Sequence, residues 1–214
     1  MTQVSAGLIA RQGVALVIAA PSGGGKGAVT QALLAAEPDL WLSVSVTTRA
    51  PRGDERDGDH YHFVDQSQFD AMVQAGALLE YASVFGRNNY GTPRAPVQQA
   101  LAAGRDVVFD IDWQGYHQLL AALPGDVVGV FLLPPSMAEL ERRLAGRGTD
   151  TPAEIAQRMA TAQSEISHWI EFDHVVLNDD FPTTLAAVRA ILLAERLRTE
   201  RQIGIADFIA RLGS

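Results

Sequence analysis

Residues 19–29 read Ala-Ala-Pro-Ser-Gly-Gly-Gly-Lys-Gly-Ala-Val, at the end of the apolar run Val14–Ala20. Few folds accommodate three glycines and a lysine between a buried strand and the start of a helix. Gly23, Gly24 and Gly25 free the backbone to turn its N–H groups inward around an anion. The helix N-terminus adds positive potential, and Lys26 adds a mobile charge. The general pattern for such a loop is Gly, any four residues, Gly-Lys, then Ser or Thr. Here Ala20 holds the first place and Gly27 the last, and Ala28 after it has no hydroxyl either. Ala20, Pro21, Ser22, Gly23, Gly24, Gly25, Lys26, Gly27 and Ala28 are therefore expected to cradle the phosphates of a nucleotide. Taken alone, the loop also admits a plain glycine-rich turn with a solvated lysine.

Further apolar runs at Val107–Asp112, Val127–Leu133 and His174–Asn178, with Leu42–Thr47 as a fifth, are short and uninterrupted, as in a parallel sheet covered on both faces. Helical patterns lie between them: Lys26–Ala36, Pro96–Ala103 before Gly104, and a long final helix Phe181–Arg198. Ser136-Met-Ala-Glu139 and Thr151-Pro-Ala-Glu154 are capping boxes, the second with Pro152 in its first turn. Strand–helix alternation predicts an α/β fold. Residues 44–96 break the rhythm. A Gly/Asp/Arg-rich turn (Arg52–Asp59), strands near Tyr61 and over Leu78–Val84, and a helix near Gln68–Ala75 suggest a small mixed α+β insert.

With 17 basic against 25 acidic residues, net charge -8, the chain is not expected to bind nucleic acid, which usually requires a basic face. The absence of cysteine excludes thiol catalysis, disulfides and zinc–thiolate sites. No apolar run is long enough to span a membrane, and the opening MTQVSAGLIARQG lacks the form of a secretory leader. The expected setting is the cytoplasm, with no membrane partner.

The run SVSVTTRAPRGDERDGDHYHF, residues 43–63, resembles guanylate kinases. Ser45, Thr47, Thr48, Arg49 and Arg52 match a Ser-x-Thr-Thr-Arg-x-x-Arg run, and Gly58, Tyr61 and Phe63 a Gly-x-x-Tyr-x-Phe run. The resemblance continues in order through LLEYASVFGRNNYGT (78–92), DVVFDIDWQG (106–115), FLLPPS (131–136), RRLAGRG (142–148), QRM (157–159) and VLNDD (176–180). Gly27 and Ala28 depart from the family pattern, and the segment with Asn88 and Asn89 is one residue longer than its commonest form. The resemblance implies a P-loop NTPase-type parallel sheet core with helices on both faces (1–43, 97–136 and 168–214), a GMP-binding insert (44–96) and a helical lid (137–167).

Its site residues also make chemical sense. Guanidinium forks at Arg49 and Arg52 match a phosphate monoester, with Tyr61 and Tyr90 as hydroxyl donors. Without the family run, two arginines in a polar loop would read as solvated surface. Guanine presents N1–H and the N2 amino group side by side, so one carboxylate at Glu80 can accept from both, while adenine offers an acceptor at N1. Ser45 and Thr92 are candidates to donate to guanine O6. Asp110 and Asp112, two apart at a strand's C-terminal end, are expected to face the same way, Asp110 toward the metal shell and Asp112 toward the acceptor nucleotide. The resemblance assigns Arg147 and Arg158 to a clamp on the transferring phosphoryl and Asn178 to the adenine side. Arg142 and Arg143 read mainly as a solvated helix face, and the five histidines have no metal-ligand spacing.

The implied reaction is transfer of the γ-phosphoryl of ATP, carried with Mg2+, to GMP, with dGMP as a poorer acceptor. A monophosphate oxygen is anionic at neutral pH, so the protein must align the partners and neutralise charge. Lys26, Arg49, Arg147 and Arg158 are the catalytic candidates. Two alternatives are a guanylate-kinase-like binding module with weakened catalysis, suggested by Gly27 and Ala28, and a kinase for another small phosphate acceptor. A homo-oligomer is left open.

Overall fold

The computed structural model describes residues 9–84, 88–146 and 151–212. In chain order the elements are β1 (Ala15–Ala19), α1 (Lys26–Ala36), β2 (Leu40–Leu42), β3 (Val46–Thr47), β4 (His62–Phe63), α2 (Gln66–Gln74), β5 (Leu78–Val84), β6 (Asn88–Pro93), α3 (Arg94–Ala102), β7 (Asp106–Phe109), α4 (Trp113–Ala122), β8 (Val127–Leu133), α5 (Met137–Ala145), α6 (Pro152–Ile166), β9 (His174–Leu177), α7 (Phe181–Arg196) and α8 (Ile205–Leu212). Five parallel strands form the main sheet in the order β2-β7-β1-β8-β9.

The central strand β1 is buried along its whole length because both its faces are covered. Ala15, Val17 and Ala19 pack with Val97 and Leu101 of α3 and Tyr116 and Leu119 of α4. Leu16 and Ile18 point the other way, onto Val29 and Leu33 of α1 and Val188 and Leu192 of α7. Period-two alternation thus feeds two cores, which accounts for an uninterrupted apolar run. A buried ion cluster fixes the start of β7 in this sheet. Asp106, fully buried, accepts from Arg11 at 2.7 and 2.9 Å, from Arg196 at 2.7 Å and from the Val14 N–H at 2.9 Å.

The run Leu42–Thr47, expected as one strand, is two. Leu40–Leu42 pairs with β7 in the main sheet, and Val46–Thr47 joins a second, mixed sheet of order β4-β3-β6-β5. The run is apolar enough for one strand, but the chain changes sheets at Ser43–Ser45. Around Val46, Phe69 and Leu78 the second sheet has its own small core. Helix α2 opens on a capping box in which Asp65 accepts from the Gln68 N–H and Gln68 accepts from the Asp65 N–H. Where β5 lies beside α4, the Gln118 side chain accepts from the Tyr81 N–H and donates to the Tyr81 carbonyl, both at 3.0 Å.

The strand expected over Val107–Asp112 stops at Phe109. Asp112 is instead the N-cap of α4, accepting from the Gly115 N–H at 3.0 Å. A cap requires the chain to leave the strand before the helix starts, so Asp110 and Asp112 do not share a strand face. The Thr151–Glu154 box forms as expected, but at Ser136 only half of one does: Ser136 accepts from the Glu139 N–H, while the Glu139 carboxylate is taken by Arg142 and Arg143. Among the described residues no helix is long and apolar enough to cross a membrane.

Candidate active site

The loop after β1 is shaped by steric demands that differ from glycine to glycine. Gly25, the N-cap of α1, has φ 94°, and a side chain there would lie 2.5 Å from Asn178 Nδ2. Gly24 donates its N–H to the Pro21 carbonyl at 2.7 Å, and a Cβ on it would meet that of Ala20 at 2.8 Å. Asn178, buried at the end of β9, donates Nδ2–H to the Gly24 carbonyl at 2.8 Å. The Asn178 carbonyl in turn accepts from Arg143 at 3.0 Å, and Arg143 also pairs with Glu139. Arg143 is therefore a brace behind the loop rather than solvated surface, whereas Arg142 is exposed and paired with Glu139. Asn178 holds the loop from behind, a part that its place after the last strand does not reveal.

Lys26 starts α1. Its Nζ lies 2.9 Å from Asp110 Oδ1 and donates to the Ile111 carbonyl at 3.1 Å. The segment that leaves β7 thus meets the loop directly. Residues 20–27, Asp112 and Glu165 line one cavity of about 270 Å3. The Ser22 N–H donates to Glu165 Oε2 at 2.8 Å.

A second cationic group is built beside the mixed sheet. Arg49 is buried although charged. Its guanidinium lies over the rings of Tyr61 and Phe63, 5.3 and 5.9 Å from their centroids, and donates to the Ala50 carbonyl and to Glu55 Oε1, both at 2.8 Å. Glu55 also accepts from the Arg52 N–H at 2.8 Å. The Arg49 bond holds the Glu55 carboxyl below its usual range, helped by the Arg52 N–H, while the same pair, with the Tyr90 hydroxyl beside it, raises Arg49. Tyr61 and Tyr90 meet edge to face at 5.9 Å. Arg49, Tyr61 and Tyr90 come together as expected, and the Arg52 backbone joins them through Glu55.

Glu80 is 5 % exposed on β5, facing inward. Burial pushes its carboxyl up, the Thr92 hydroxyl opposes that, and the Asp112 charge adds to it. Thr92 directs its hydroxyl hydrogen to Glu80 Oε1 at 2.6 Å. Its one proton is thus committed to Glu80, where the sequence suggested a donor to a base. Gly115 explains the glycine of the Asp-Trp-Gln-Gly run: a Cβ there would lie 3.0 Å from the Ile111 side chain and 3.3 Å from Glu80 Oε2. Ser45 lies in the crossover between the sheets, its carbonyl accepting from the His62 N–H. Arg158 stands on α6, while Arg147 lies outside the described residues.

The described residues thus hold two cationic groups, Lys26 at the loop and Arg49 beside the mixed sheet, and a buried carboxylate, Glu80, near the Asp112 that lines the loop cavity. The guanylate kinase family model matches residues 12–195. A guanylate kinase of Granulibacter bethesdensis is 59% identical over 203 residues, covering 95% of this chain and 94% of the relative. One of Gluconobacter oxydans is 58% identical over 200 residues, covering 94% and 96%. The chain belongs to the guanylate kinase family. Its activity is that of an ATP:GMP phosphotransferase, a nucleoside monophosphate kinase. The crystal structure of the guanylate kinase of Anaplasma phagocytophilum superimposes with a TM-score of 0.76 at 35% identity, covering 96% of this chain and 97% of that one.

Within this guanylate kinase framework, two carboxylates that sequence reasoning missed stand on the cationic groups: Glu55 at Arg49 and Glu165 at the loop. Neither has a local signature. Glu55 sits in a turn crowded with charge, and Glu165 belongs to a helix far along the chain. Only the fold brings Glu165 to Ser22.

Proposed function

We propose that the donor phosphates lie along the loop of residues 20–28, and that the acceptor monophosphate is held by Arg49, Arg52, Tyr61 and Tyr90. Glu80, with Asp112 nearby, reads the acceptor base. The observation that carries this reading is the burial of Glu80 beside Asp112, which itself lines the loop cavity. A carboxylate kept from water costs free energy unless a ligand or neighbour satisfies it. The N1–H and N2 amino group of guanine supply two donors, and adenine presents an acceptor to the same oxygens. Thr92 holds one oxygen of Glu80 in place.

Transfer requires alignment and neutralised charge, because the acceptor oxygen is already an anion. Lys26 carries its charge to the transferring group by leaving Asp110. Arg158, and by family resemblance Arg147, supply further charge from the lid segment 137–167. The insert over 44–96 and this segment close on the core to exclude water, which would otherwise accept the phosphoryl group. Asn178 keeps the loop in shape and stands on the donor's adenine side.

Magnesium prefers oxygen ligands and keeps several waters. Near Lys26 the chain offers the Asp110 carboxylate but no hydroxyl at positions 27 and 28, and among the described residues no group of three His, Cys, Asp or Glu could hold a metal ion. These residues fit a metal carried by the donor's own phosphates, with Asp110 at its outer shell. Bound there, the ion would neutralise phosphate charge. The chain works in the cytoplasm on ATP and GMP, with dGMP as a poorer acceptor. A coupled assay of ADP formation with GMP, dGMP, AMP and ribose phosphates tests the reading. Equal use of GMP and AMP would overturn the part assigned to Glu80.

A further inference from the structure

We propose that Glu165 is a latch that holds helix α6 on the phosphate loop until donor phosphates displace it. The inference rests on the reading of residues 20–28 as the donor site.

The Ser22 N–H belongs to the same loop as the three glycines, at the positive end of α1. That end favours any nearby anion, a carboxylate or a phosphate. Glu165 supplies a carboxylate from another part of the chain, on the last turn of α6, and its Oε2 accepts from Ser22 at 2.8 Å. It also lines the loop cavity. Lys26 is held back in the same way, on Asp110 at 2.9 Å and the Ile111 carbonyl at 3.1 Å. A polyphosphate entering the cavity meets a carboxylate of its own sign and competes with it for one N–H.

Helical spacing gives the contact a consequence. Arg158 lies seven residues before Glu165 on α6, two turns away on the same face. The helix that carries Arg158 at its middle is therefore tethered to the loop at its C-terminal turn. Displacement of Glu165 releases that end of α6, so that arrival of the donor and movement of Arg158 are coupled through one rigid element. By reciprocity, whatever loosens the tether tightens donor binding.

The test compares the parent chain with Glu165→Gln and Glu165→Ala by calorimetric titration with ADP, with ATP and, separately, with GMP, alongside steady-state kinetics. Gln keeps an oxygen for the Ser22 N–H and loses the charge, while Ala loses both. For each variant a latch predicts ADP and ATP affinity tighter by about 3- to 10-fold, GMP affinity unchanged, and KM for ATP lowered with kcat within about twofold. Unchanged or weaker ADP binding in both variants overturns the latch and makes Glu165 a support of the loop. If the parent and both variants bind GMP but neither ADP nor ATP, the donor-site reading itself falls, and the latch with it.

Discussion

Thr92 donates its hydroxyl hydrogen to Glu80 across 2.6 Å, and both side chains are buried. The pair fixes one carboxylate oxygen and leaves the other directed toward Gly115, where only the absence of a side chain leaves room. Glu80→Gln should lower kcat/KM for GMP by about 100-fold, because an amide turns a donor toward the guanine edge. Thr92→Val should cost about 10-fold by releasing the carboxylate. Burial raises the Glu80 carboxyl above 4.5, so it gains a proton at a higher pH than an exposed glutamate. KM for GMP should therefore climb as pH falls through that raised value, and the Gln variant should lose this dependence. A GMP/AMP preference unchanged in Glu80→Gln would exclude base reading by this residue.

Lys26→Met should keep the fold and reduce turnover by about 10²- to 10³-fold, since a charge at the transferring group is lost. Circular dichroism and a coupled assay on the same preparation separate the two effects. More than about a tenth of parent turnover would remove Lys26 from the chemistry.

Arg49→Lys probes the acceptor side. An ammonium group cannot hold both Ala50 and Glu55 from a position over Tyr61 and Phe63 as the forked guanidinium does. KM for GMP should rise at least about 10-fold, with KM for ATP little changed. Parallel loss for both substrates contradicts the acceptor-side assignment.

Positions 27 and 28 are open to hydroxyls. A Cβ on Gly27 meets nothing closer than Asp110 Oδ2 at 3.8 Å, and Ala28 is exposed. Gly27→Ser should lower the magnesium concentration needed for half-maximal rate, and Ala28→Thr should change kcat/KM for ATP by no more than about 10-fold. A parent chain without GMP-dependent ADP formation, restored by either change, would instead favour a binding module.

Asp106 tests the scaffold. Burial alone would raise its carboxyl, but Arg11, the Val14 N–H and Arg196 together lower it below 3.8. Its stabilisation is thus present above that value and is lost as pH falls through the lower, folded-state value. Asp106→Asn leaves two arginines facing a neutral group and should cost about 3–5 kcal/mol, a fall in Tm on the order of 10 °C. As pH falls below 3.8 its stability should change less with pH than that of the parent. Calorimetric melting across that range decides the matter.

The parts of the fold legible in the sequence are those set by local chemistry. Buried parallel strands write themselves as apolar runs, the Thr151 and Glu154 box marks the start of α6, and the glycines with Lys26 mark the loop. The run at 42–47 was misleading because periodicity cannot show that a chain leaves one sheet and enters another. Asp112 was misplaced for a related reason: strand spacing and an N-cap compete for the same residue, and the helix won. The candidate site was legible where several motifs brought their residues together, as at Arg49, Tyr61 and Tyr90. It was not legible where a partner came from far along the chain, as with Arg143 behind Asn178 and Glu165 at Ser22.

The Gln118 side chain meets Tyr81 as a neighbouring strand would, accepting from its N–H and donating to its carbonyl. β5 ends the mixed sheet, and an end strand offers its unpaired backbone to any other chain that reaches it. One carboxamide from a helix of the other sheet occupies that edge midway along β5, so a foreign strand cannot extend the ladder past Tyr81. The molecule protects itself from intermolecular strand addition at this edge with a single side chain, while β5 keeps its other side for β6.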